Sequence, residues 1–79
     1  MKYLCDLEVG QSCIVSEILT RGSMRRRFLD IGLIENTVVK CVGQSPSGDP
    51  KAYLIRGAVI AIRSDDSGEI IVREEKYWG

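Results

Sequence analysis

Residues 51 to 63 read KAYLIRGAVIAIR, two runs of β-favouring residues separated by Gly57. Short apolar runs bounded by turn residues are the signature of strands. Tyr53 and Ile55 in the first run, and Ile60 and Ile62 in the second, fall two apart and are the predicted inward sets. Upstream, TVVKCV at 37–42 reads as a further strand, with Lys40 facing water and Val39 and Cys41 turned inward. SPSGDP at 45–50, with two prolines and a glycine, is the surface loop between these strands. Downstream, the polar turn SDDSG at 64–68 leads into EIIVR at 69–73, which places Ile70 and Val72 inside.

The run SCIVSEIL at 12–19 is also a strand, but its adjacent polar residues Ser16 and Glu17 break the alternation. A bulge or a sharp bend is the expected cause. One segment has helical spacing, MRRRFLDI at 24–31, with Ser23 as its expected N-cap and Gly32 just past its end. Gly32 as C′ would pair Leu33 with Phe28 in a Schellman ending. Met24, Phe28 and Ile31 then share the buried face, and Arg25, Arg26 and Leu29 lie outward. Leu4, Leu7 and Val9, ahead of Gly10, are too few for a stable helix and read as a lid over one end of the core. The tail EEKYWG is expected to fray or to fold Trp78 back against the rest. Five short strands and one short helix predict a mostly β fold, a small closed or nearly closed barrel forming a single domain over 1–79.

Composition narrows the function. A chain of 79 residues has one core, and at this size folding buries only about 60 to 65% of the surface of the unfolded chain. Histidine is absent, which removes the commonest general base near neutral pH and the commonest neutral metal ligand. Eleven basic and eleven acidic residues cancel, against the positive excess expected of a nucleic-acid binder. The N-terminus MKYLCDLEVG has no apolar stretch of the kind a secretion signal needs, and the three cysteines show no CxxC spacing, so a reducing, cytoplasmic setting is expected. No apolar run approaches the roughly 18 to 20 residues that span a bilayer, so a membrane role would pass through a membrane-bound partner.

Three groups of residues could carry chemistry. Cys5, Cys13 and Cys41 read as ordinary semi-buried cysteines, because a structural zinc commonly takes four ligands in close pairs; redox sensitivity, or adventitious metal shared between molecules, is the alternative. Asp49, Asp65 and Asp66 read as turn formers, with weak cation binding as the alternative. Arg25, Arg26 and Arg27 are the odd feature, since cations in the first turn of a helix oppose its dipole. They either bond acidic groups within the domain, such as Glu74 or Glu75, or present charge to a partner; a catalytic arginine finger for a nucleotide-hydrolysing partner is a third, lesser reading.

The order of features has a counterpart in a known family. Leu4, Leu7 and Gly10, then RRRFLDIGL at 25–33, GDP at 48–50, IRG..IAIR at 55–63 and I.V at 70–72 together resemble the FeoA family over nearly the whole chain. The resemblance implies an SH3-like β-barrel in the cytoplasm, accessory to FeoB, the membrane ferrous-iron transporter whose cytosolic part is a GTPase. Two positions depart from the family pattern: Asn36 replaces the usual glycine and Ser67 a small alanine, both tolerable changes. The expected function is thus a non-enzymatic module that docks on the transporter's cytosolic region and modulates iron uptake. Arg25, Arg26, Arg27 and Leu29 are its partner-binding residues, with no catalytic residue, no metal ligand and no cofactor. The alternative is a free regulatory domain like that of iron-dependent repressors, although the DNA-binding helix-turn-helix that accompanies it there is missing here. A small nucleic-acid-binding barrel is opposed by the charge balance and the lack of interleaved aromatic residues.

Overall fold

The computed structural model describes residues 2–75. In chain order the elements are β1 (Lys2–Tyr3), a 3-10 turn (Leu4–Asp6), β2 (Ser12–Ile18), α1 (Gly22–Asp30), β3 (Val38–Gln44), β4 (Lys51–Ile55), β5 (Ala58–Ile62), a one-turn helix α2 (Ser64–Ser67) and β6 (Ile70–Glu74). All strands pair antiparallel in one sheet, in the order β1-β6-β2-β3-β4-β5. The expected fold class holds. One strand more than expected is present, because β1 is only two residues long, opposite Ile71 and Val72, and carries no periodic signal. The expected polar turn at 64–68 contains α2.

The sheet coils into a barrel-like shell. The Tyr53 hydroxyl of β4 donates to the Leu4 carbonyl just after β1, 3.3 Å away, although the two strands lie far apart in ladder order. Two irregularities sharpen the coil: the β2–β6 register shifts between Val15 and Glu17, as the Ser16–Glu17 break predicts, and the β3–β4 register shifts between Cys41 and Gly43. The inward residues Val39, Cys41, Tyr53, Ile55, Ile62, Ile70 and Val72 join Cys13, Val15, Phe28 and Leu33 in one core. Each large aliphatic side chain so buried contributes about 1.5 to 3 kcal/mol. Ile60, expected inside, is only half-buried and packs at the margin.

The N-terminal lid is partly as expected. Leu4 and Leu7 are buried, whereas Val9, in the turn with Gly10 that leads into β2, is 51% exposed. The tail beyond Glu75, including Trp78, lies outside the described residues.

Candidate functional site

Helix α1 ends as its sequence predicts. The Leu33 amide donates to the Phe28 carbonyl (2.8 Å) and the Gly32 amide to the Leu29 carbonyl (3.0 Å), the two bonds of a Schellman motif, with Gly32 at φ +84°. Its start differs from expectation. The flanking residue is Arg21, without a side-chain capping bond, and Gly22 at φ +72° turns the chain into the helix in place of a Ser23 cap. Arg25 is consequently the fourth helical residue and Arg27 lies in the last turn, where the dipole favours a cation. The electrostatic conflict read from the sequence is therefore smaller in the folded helix.

Arg56 holds the far end of α1. It occupies the two-residue turn between β4 and β5 with Gly57, at φ +48° and +84°, and its Nε donates 2.8 Å to the Gly32 carbonyl. At the near end, Arg25 Nη1 donates to the Ile18 carbonyl (2.9 Å) and, at 3.5 Å, to the Thr20 carbonyl. The internal partners of Arg25 are thus backbone carbonyls and not Glu74 or Glu75. Those two carboxylates border a separate depression with Lys2, Gln11 and Ser12.

The four expected partner-binding residues do not share one face. Arg26 is exposed, Leu29 is 49% exposed, and Arg25 runs back along the domain. Arg27, between Met24 and Ile31 on the helix, turns to a groove of about 240 Å³. Met24, Phe28 and Ile31 line its α1 side, Ile60, Ala61, Ile62 and Arg63 its β5 side, and Asp66 one end. Arg63 was not singled out from the sequence because nothing local distinguishes it from any arginine at a strand end.

The other candidates have structural surroundings. Asp49 accepts hydrogen bonds from the Ser64 amide (2.9 Å) and the Ser64 hydroxyl (3.1 Å), which fixes α2 against the 45–50 loop. Asp65 and Asp66 lie in the first turn of α2. Cys13 and Cys41 are buried and Cys5 half-buried, all as free thiols. Burial pushes the Cys13 thiol up to about 11, so it stays protonated at neutral pH, and burial with the neighbouring Asp6 carboxylate also raises Cys5. Among the described residues, no three histidine, cysteine, aspartate or glutamate side chains gather where they could hold a metal ion. No helix of the described residues is long and apolar enough to cross a membrane.

A coiled six-stranded sheet with one helix packed beside an exposed strand defines a small SH3-like domain. A 20% identical FeoA from Stenotrophomonas maltophilia, solved in complex with zinc and described as a procaryotic SH3 domain protein, shares this fold with a TM-score of 0.80 over 91% of this chain and 89% of its own. The FeoA domain model matches residues 2–74, and the chain belongs to the FeoA family, which is linked to ferrous iron transport. The solution structure of FeoA from Chlorobium tepidum is 26% identical, with a TM-score of 0.87 over 92% of this chain and 70% of that one. Among curated proteins, the Fe(2+) transport protein A/Fe(2+) transporter FeoB fusion protein of Porphyromonas gingivalis is 28% identical over 69 residues. That match takes in 87% of this chain and only 8% of the length of the fusion protein.

Proposed function

We propose that this domain is a non-enzymatic accessory of ferrous iron uptake that docks, in the cytoplasm, on the cytosolic GTPase region of a FeoB-type transporter and modulates transport. The observation that carries this reading is the fusion relative, in which a related sequence and the transporter share one polypeptide. Covalent joining of two partners is a common way of raising their effective concentration. The surface of α1 suits the role: Arg26 and Leu29 project outward and Arg27 faces the groove, and arginine is enriched among the residues that dominate interface energies.

Arg25 serves this reading differently from the other three. Its guanidinium is engaged with Ile18 and Thr20, so it orients the helix that presents Arg26, Arg27 and Leu29. The test is a binding titration of the chain against the soluble cytosolic region of a FeoB transporter, with and without guanine nucleotides. Saturable binding that weakens in Arg26→Glu with Leu29→Ser supports the reading. Absence of binding in every nucleotide state would remove it.

A further inference from the structure

The two ends of the sheet are treated differently. β1 is two residues long and begins with Lys2, features that blunt an edge against pairing. β5 is the other end strand, and its five residues, AVIAI, contain no charge, proline or bulge. Val59 on it is 64% exposed. An unprotected apolar edge is a template for another strand.

The free edge faces the groove. The turn of Arg56 and Gly57 makes Ile55 and Ala58 a hydrogen-bonded pair, and alternation along the ladder makes Leu54–Val59 and Ala52–Ala61 the non-bonded pairs. The amides and carbonyls of Val59 and Ala61 therefore point away from β4. Consecutive strand residues face opposite sides of a sheet, so a groove touched by all of residues 60–63 runs along the strand's edge and not over one face. Its other wall is the Met24, Phe28 and Ile31 face of α1, and Arg27 and Arg63 outnumber the single carboxylate, Asp66.

We propose that this edge is a strand-addition site: an extended segment of a partner protein, apolar side chains alternating with carboxylates, pairs with β5 between it and α1. Its backbone bonds Val59 and Ala61, its apolar side chains cover Met24, Ile31 and Ile60, and its carboxylates meet Arg27 and Arg63. The proposal rests on the docking reading only for which protein supplies the strand. A cationic segment is disfavoured by the two guanidinium groups, and a second copy of this chain would bring another AVIAI edge without any carboxylate of its own.

The test titrates the full chain with two probes, an acetylated and amidated six-residue peptide alternating valine and glutamate, and the soluble FeoB cytosolic region. The readouts are affinity and amide exchange at Val59 and Ala61. Either probe should slow exchange at both amides by about tenfold or more, since each then gains a hydrogen-bond partner. Ala61→Pro, which removes an amide that makes no bond to β4, should abolish binding, and Arg27→Glu with Arg63→Glu should weaken it by about tenfold. The double variant stands in if the proline variant misfolds. A valine–lysine peptide binding as well as the glutamate peptide would overturn the proposal, as would self-association through β5 that peptide does not displace. Transporter binding without protection of Val59 and Ala61 would remove the strand site and leave docking intact. Peptide binding at the edge without transporter binding would do the reverse, and silence of both probes would remove both.

Discussion

The Lys51 ammonium lies 2.7 Å from the Leu7 carbonyl and donates to it, and it donates equally to the Cys5 carbonyl at 3.0 Å. A lysine at the start of β4 thereby ties down the 3-10 turn and the residue that follows it. Charge-assisted hydrogen bonds of this kind are worth about 1.5 to 3 kcal/mol. Lys51→Met should lower stability by about 1 to 3 kcal/mol, since its apolar stem is kept while both donors are lost. Chemical denaturation of the variant checks this, and amide exchange should show Leu7 opening before the β3–β4 ladder.

Alkaline pH should unfold the domain through two buried groups. Burial raises the Cys13 thiol from 9.0 to about 11 and the Tyr53 phenol from 10.0 to about 12. Both groups are held neutral in the fold and release protons more readily when unfolded. Their stabilisation is complete below pH 9 and falls as pH rises, between 9 and 11 for Cys13 and between 10 and 12 for Tyr53. Each contributes about 2 to 3 kcal/mol across its window, at about 1.4 kcal/mol per pKa unit. Melting temperature against pH should therefore be flat to about 9 and then drop, with Cys13→Ala removing most of the lower part of the slope and the raised thiol of half-buried Cys5 accounting for the remainder. Tyr53→Phe should remove the upper part and cost about 1 kcal/mol at neutral pH through the lost bond to the Leu4 carbonyl.

Gly32 is needed twice. Its φ of +84° disfavours any side chain, and a Cβ there would sit 2.5 Å from Arg56 Cδ. Gly32→Ala should cost about 1 to 3 kcal/mol and displace the Arg56 side chain from the helix end. Arg56→Ala should cost less, about 1 kcal/mol, because it removes the bond to the Gly32 carbonyl and leaves the turn. Paired melts of the two variants give the order.

Adjacent arginines of α1 should behave differently. Arg25→Ala should destabilise by about 1 to 2 kcal/mol through loss of the bond to the Ile18 carbonyl, whereas exposed Arg26→Ala should stay within about 0.5 kcal/mol of the parent. Both are exposed, as the helical spacing predicts, but only Arg25 is tied to the backbone of the preceding segment: Arg25→Glu should lower the melting temperature and Arg26→Glu should not.

The strands were legible because the alternation is local: Val39 with Cys41, Tyr53 with Ile55 and Ile70 with Val72 are buried where their spacing put them. The break at Ser16 and Glu17 marked a real bulge, and the positive φ of Asn36, +71°, is the left-handed conformation that a glycine or asparagine accepts at that position. What failed to show was non-local. β1 is a strand only because β6 lies beside it, Arg25 finds carbonyls seven and five residues back on a chain reversal, and the groove exists only where α1 comes to rest against β5. Arg27 was singled out for its neighbours in sequence, but that it lines a groove with Arg63 follows only from the packing of distant elements. Ser23 failed as a cap because Gly22 supplies the turn into the helix by backbone conformation alone.

The turn at Arg56 and Gly57 sets a reading frame for the strand that follows it. Two residues, both at positive φ, return the chain so that Ile60 and Ile62 point inward and Val59 and Ala61 carry the free edge. A one-residue slip of this pairing would turn the strand over: Val59 and Ala61 would enter the core, two isoleucines would face water, and Arg56 would lose its place over Gly32. The 45–50 loop is closed by its own bonds, from the Ser45 amide to the Pro50 carbonyl and from the Ser45 hydroxyl to the Asp49 carbonyl, and is anchored to α2 through Asp49. A change of length at 46–48 therefore leaves both flanking strands in register, whereas one at Arg56 and Gly57 acts directly on the ladder and on the helix end.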